Sequence, residues 1–188
     1  MKKGEIAKKI ILAVATAEEA GGLALTLANI PGLGASIQPF IKWYKNQDKY
    51  GRYRIRKTFT KLRRQGLIEM KENENGKTKI LLTDTGRKKT FQYQFENLTI
   101  EPQKKWDKKW RLIIFNIPRD RQKIRYIFRT KLKKLGFYKL QNNAWLYPYE
   151  CRQEINFIAE FLNIKSYITT AEVNHFDAEN TVKQNFNL

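Results

Sequence analysis

Residues 110–148 read WRLIIFNIPRDRQKIRYIFRTKLKKLGFYKLQNNAWLYP, and their pattern sets the fold of the second half of the chain. Trp110, Leu112, Ile114 and Asn116 share one side of an extended segment and Ile113 and Phe115 the other. A strand over Trp110–Ile117 is therefore apolar on both faces, as a central strand is. Pro118 ends it, and Asp120 is placed to cap the helix that follows. That helix gathers Ile124, Ile127, Phe128, Leu132 and Leu135 on one stripe and stops at Gly136. Arg121, Lys123, Arg125, Arg129, Lys131, Lys133 and Lys134 are left largely outward. Strands over 137–141 and 144–147 meet at Asn142-Asn143, a pair that tolerates left-handed backbone. A helix over 150–162 turns Ile155, Ile158, Phe161 and Leu162 inward, and a strand over 165–173 completes the order βαββαβ, a ferredoxin-like unit.

Upstream, FQYQFENLTI gives way at residue 101 to Glu-Pro-Gln-Lys-Lys, a run with no apolar residue that reads as a hinge. Four segments follow: an N-terminal domain over 1–90, a linker over 91–105, the ferredoxin-like domain over 106–178 and a tail over 179–188. In the N-terminal part, residues 54–65 read as a helix in which Ile55, Phe59 and Leu62 fall at i, i+4 and i+7, and Gly66 stops it. Arg54, Lys57, Lys61 and Arg64 cluster on a different side of it, with Thr58 at the edge. Ile68 and Met70, then Ile80 and Leu82, alternate with polar residues around Asn75-Gly76, which spells a hairpin. Thr83-Asp84-Thr85-Gly86 restarts a helix with a capping residue. Helix, basic helix and hairpin in this order resemble a winged helix-turn-helix, so the fold class read here is α+β: a winged helix-turn-helix followed by the ferredoxin-like domain.

Composition narrows the partner. Among 188 residues, 37 Lys and Arg stand against 18 Asp and Glu, a net charge of +19 that suits a polyanion such as nucleic acid. Both parts share the excess, with 22 basic and 10 acidic residues in 1–105 and 15 and 8 in 106–188. One cysteine, Cys151, leaves no disulfide partner within the chain. One histidine, His175, leaves no Cys/His metal cluster to assemble. Cys151 next to Arg152 is the one candidate reactive thiol, and His175 reads as a surface residue.

Two segments bear on membranes. Lys2 and Lys3 before Ile10–Val14 and Ala15-Thr16-Ala17 imitate a leader, yet Glu5 interrupts the basic stretch. Ile6, Ile10, Val14 and Ala17 recur at helical spacing, which favours an amphipathic helix of a soluble, cytoplasmic protein. Residues 20–41 carry no charge and would cover ~30 Å of hydrocarbon as a helix. Gly21, Gly22, Pro31, Gly32, Gly34 and Pro39 break that continuity, so membrane association through this segment is a minor reading.

KKWDKKWRLIIFNIP, KLKKLGFYKLQNNAWLYP and the helix opened by Glu150-Cys151 resemble the central domain of PaaX-type transcriptional repressors, a domain similar to the small CRISPR-associated nuclease of spacer acquisition. KLRRQGLIEM at 61–70 and LLTDTGRKK at 81–89 are similar to the recognition-helix end and wing exit of winged-helix regulators. The resemblance implies a homodimeric DNA-binding regulator, in which Arg54, Lys57, Thr58, Lys61 and Arg64 contact bases or phosphates of double-stranded DNA. Lys77 and Lys79 would touch backbone from the wing. The alternative is a metal-dependent nuclease. In that branch, strand-end aspartates of two subunits hold magnesium, where this chain has Asn116. An amide offers a neutral oxygen where a hard cation prefers a carboxylate, so Asn116 speaks for a degenerate position and against catalysis. Asp107 and Asp120 flank the strand but read as a turn residue and a helix cap. No cofactor is expected, and Mg²⁺ enters only under the nuclease alternative. A membrane-tethered adaptor is the third class.

Overall fold

The computed structural model describes residues 4–19, 38–72, 78–101, 103 and 105–188, and the chain divides into two compact units, 1–96 and 97–188. The first unit begins with α1 (Glu5–Glu19), α2 (Gln38–Lys45) and α3 (Lys49–Arg64). A hairpin of β1 (Ile68–Glu72) and β2 (Thr78–Leu82) follows, and α4 (Asp84–Asn97) closes it. The uncharged segment 20–37 and the turn at Asn75-Gly76 lie outside the described residues.

The core of this unit is α1. Ile10, Ile11 and Val14 are fully buried, together with Ile55, Phe59 and Leu62 of α3 and Ile68, Ile80 and Leu82 of the hairpin. The leader-like sequence thus supplies a central helix, its apolar residues facing side chains far along the chain. Among the described residues, no helix is long and apolar enough to cross a membrane. Glu18 ties α1 to the rest: its carboxylate accepts from the Leu82 amide at 2.7 Å and pairs with Arg87 of α4 at 2.7 Å.

Asp48 starts α3 five residues earlier than the apolar spacing alone places it, accepting from the Gly51 amide at 2.7 Å. The helix ends where Gly66 takes a φ of +65°, a conformation costly for a residue with a Cβ. The hairpin pairs Ile68 with Leu82 and Met70 with Ile80 in antiparallel register. Thr83 caps α4 through the Gly86 amide at 3.0 Å. Gly86 itself is fixed by packing, since a Cβ there would lie 2.0 Å from the Leu67 carbonyl oxygen. The expected linker at 91–105 begins inside α4, which runs on through Asn97. A helix already nucleated adds residues at little cost, so α4 carries on past the expected boundary.

The second unit contains β3 (Trp110–Phe115), α5 (Gln122–Lys134), β4 (Tyr138–Lys139), β5 (Ala144–Tyr147), α6 (Arg152–Phe161), β6 (Ile168–Val173) and α7 (Glu179–Phe186). Its antiparallel sheet has the order β4-β5-β3-β6, with β3 central, as the ferredoxin-like expectation requires. On one face Ile113 and Phe115 are buried, and Phe115 meets Phe128 of α5 edge-on at 5.0 Å. Three local expectations are corrected. Asp120 sits in a 3₁₀ turn over Arg119–Arg121 and makes no cap bond to α5. Lys131 faces inward, 5% exposed, and donates to the Leu98 carbonyl at 3.3 Å, its long stem burying easily once the ammonium has an acceptor. Ile127, placed on the inward stripe, is 41% exposed at its margin.

Of residues 179–188, expected as a tail, Glu179–Phe186 forms α7 and packs against the other face of the sheet. Val182 is fully buried with Trp110 and Leu146, and Phe176 and Phe186 pack at the rim. Trp110 is surrounded by Trp106, Phe176 and Phe186 at ring separations of 5.0, 5.6 and 6.0 Å. Glu179 anchors the helix, accepting from the Trp110 indole at 3.2 Å, from Lys183 at 2.9 Å and from His175 at 2.7 Å. Lys183 first, then His175 and the indole, hold its carboxyl down at about 2 against an ordinary 4.5. A carboxylate depressed in the folded state stabilises fully above its unfolded value and loses that contribution as pH falls through its folded value. The difference in thermal midpoint between the wild type and Glu179→Gln is therefore expected to be full above pH 4.5 and to shrink as pH falls toward 2. A difference that stays constant across that window would remove Glu179 from this role.

Candidate nucleic-acid interface

Between Lys49 and Arg64, α3 carries eight Lys or Arg and no Asp or Glu, so no carboxylate on the helix neutralises its outer side. Burial of Ile55, Phe59 and Leu62 fixes which side that is. At 100° per residue the opposite direction holds Tyr50, Tyr53, Lys57, Thr60, Lys61 and Arg64, with Arg54 at one margin, and all are exposed. Arg54, Lys57, Lys61 and Arg64 thus stand together as the sequence suggested. Thr58 does not join them. It is half-buried, and its hydroxyl donates to the Arg54 carbonyl at 2.8 Å.

Two tyrosines belong to the face and were missed by a reading that began the helix at Arg54. Tyr50 and Tyr53 are 68% and 59% exposed, and the Arg54 guanidinium lies 6.0 Å from the Tyr50 ring. Asp48 was the available signal, because a good cap residue moves the helix start and with it the face. An open groove of about 1450 Å³ runs along α3, reaching Gly4 and Ala7 near the start of α1 and Lys89 and Tyr93 of α4. Lys8 and Lys89 approach the Tyr93 ring at 5.4 and 5.0 Å, and burial raises the Tyr93 phenol above its ordinary value. On the hairpin, Lys79 pairs in register with Lys71, while Lys77 lies outside the described residues.

The strand-end position in the second unit has different chemistry. Asn116 is exposed, its backbone amide donating to the Tyr167 carbonyl at 2.9 Å. Asp107 is committed elsewhere, to a two-pronged pair with Arg111 at 2.7 and 2.6 Å. The hydrogen bond from that guanidinium holds the Asp107 carboxyl at about 2. Among the described residues, no group of three or more His, Cys, Asp or Glu is arranged to hold a metal ion. The residues around Asn116 therefore do not fit a magnesium site within one chain. Cys151 is buried at the start of α6, and burial, reinforced by Glu150 and Glu154, pushes its thiol up to about 12, which removes it as a nucleophile near neutral pH.

The sheet order and the alternation of strands with α5 and α6 make the second unit an α+β domain of the ferredoxin-like type. Residues 103–184, from the approach to β3 into α7, match the family model of the PaaX protein central Cas2-like domain. The match covers less than half of the chain and leaves the first unit outside it. No curated protein matches the chain.

Proposed function

We propose that the chain is a cytoplasmic DNA-binding transcriptional regulator of the PaaX kind, a repressor acting as a homodimer. The first unit is read as a winged helix-turn-helix, with α2 and α3 as the two helices of the motif and β1–β2 as the wing. The observation that carries the reading is the outer side of α3, a continuous surface of Lys, Arg, Tyr and Thr without a carboxylate, opposite a buried apolar stripe. Such a helix fits a major groove, Lys and Arg meeting phosphates or guanine edges. The likeness of residues 103–184 to the PaaX central domain supports the same class. Pairing of two chains through the second unit would present two copies of α3 to a two-fold site. Asn116 favours holding DNA over cutting it, because a neutral amide is a poor magnesium ligand.

Selection of bound duplexes from a random pool, at stated salt, tests this. A palindromic consensus is expected, since half-site symmetry mirrors a protein dimer. Recovery of no consensus, or of an asymmetric one, would count against a dimeric, sequence-selective regulator.

A further inference from the structure

A second helix in the chain carries the chemistry of α3. α5 has six Lys or Arg and no Asp or Glu between Gln122 and Lys134. Two of the six serve the fold: Arg125 donates to the Ile117 carbonyl, and Lys131 is buried against the Leu98 carbonyl. Opposite buried Phe128 and Leu132, Lys123, Tyr126, Thr130 and Lys133 share one direction at 100° per residue, and all four are exposed. Tyr126 is 72% exposed, the highest value among the large apolar side chains of the described residues.

A solvated helix face usually mixes charge signs. The neighbouring α6 does so, with Arg152 paired to Glu172 and Glu160 to Lys165. α5 itself carries no acidic residue, and an aromatic ring stands among its lysines. The same set of Lys, Tyr and Thr defines the outer side of α3. We propose that this side of α5 is a second contact surface for duplex DNA, with Lys123 and Lys133 meeting phosphates and Tyr126 lying against the sugar-phosphate backbone. Phosphate contacts position a protein without reading sequence, so α5 adds affinity on any duplex while α3 supplies selectivity. This rests on the reading of the chain as a DNA binder.

The test uses the full chain, a duplex carrying the selected consensus and one of random sequence, and anisotropy titrations over a salt series. In Lys123→Gln/Lys133→Gln, the slope of log affinity against log salt is expected to flatten by about 2 per chain. Affinity should fall about tenfold on both duplexes at ~100 mM salt, leaving their ratio unchanged. Tyr126→Ala should weaken both duplexes equally without altering the slope. Wild-type affinity and slope in the lysine variant would overturn the α5 surface, and so would a loss confined to the consensus duplex. A loss accompanied by a lowered thermal midpoint would also overturn it, since all three side chains are exposed. If the wild-type chain binds neither duplex, the DNA-binding reading itself falls, a result distinct from failure of the α5 variants alone.

Discussion

Lys57→Glu/Lys61→Glu is expected to weaken binding to duplex DNA by ~100-fold or more at ~100 mM salt, and to flatten the salt dependence by at least about 2 per chain. Both side chains are exposed on the outer side of α3, one turn apart, with no carboxylate on the helix to share them. On the proposed reading, each substitution would remove a counterion-releasing contact and set a like charge against phosphate, so the effect would exceed that of neutralisation. A hundredfold loss corresponds to ~2.7 kcal/mol, reachable with four reversed charges if two chains bind together as proposed. The fold should tolerate the change, because Ile55, Phe59 and Leu62 stay in place. A glutamate at position 61, in the last turn, costs only ~0.3–1 kcal/mol against the helix dipole. Lys57→Gln/Lys61→Gln, free of that penalty, should show a smaller loss in the same direction. Unchanged DNA affinity in both double variants would sink the assignment of α3.

Trp110→Ala carries the largest expected stability effect, a loss of ~3–5 kcal/mol, which is a substantial share of a domain's total. The indole is fully buried on the first residue of the central strand and meets three aromatic rings, two of them, Trp106 and Phe176, edge-on. Its N–H also donates to Glu179, so truncation leaves a cavity and removes one donor from that carboxylate. The consequence should concentrate in α7, whose anchor Val182 shares this cluster. Amide hydrogen exchange over 179–188 should accelerate well before exchange in β3 does. Trp110→Phe keeps most of the ring packing and loses the hydrogen bond, for an expected cost of about 1 kcal/mol beyond the lost area. If Trp110→Ala unfolds at the same denaturant concentration as the wild type, or leaves exchange in α7 unaltered, α7 does not stabilise the sheet in the way its contacts imply.

Much of this architecture was legible along the chain because its signals are local. The apolar run at 110–117, the stop at Gly136 and the period-four stripe through Phe128 and Leu132 each depend on residues a few positions apart, and β3, α5 and their order emerged from them. The same holds for Ile55, Phe59 and Leu62, whose burial fixes the orientation of α3. What was not legible depends on partners distant in sequence. Lys131 looks like any outward lysine until the Leu98 carbonyl lies within reach. Residues 179–188 hold only a few apolar side chains, too few to announce a packed helix, until Trp110 and Leu146 provide a surface for them.

By itself, the sequence determined that this protein is basic in both halves, that its second half is a ferredoxin-like βαββαβ unit, and that a strand end holds Asn116 where a metal site would want an acid. Charge, periodicity and residue identity are properties of the chain and do not await folding. Only the tertiary structure decided which cations remain on the surface, that Lys131 turns inward to the Leu98 carbonyl, and that Val182 of α7 packs with Trp110 and Leu146. Burial and pairing of this kind arise when segments far apart in the chain meet, and that meeting separates the lysines that hold the fold from those left on the surface.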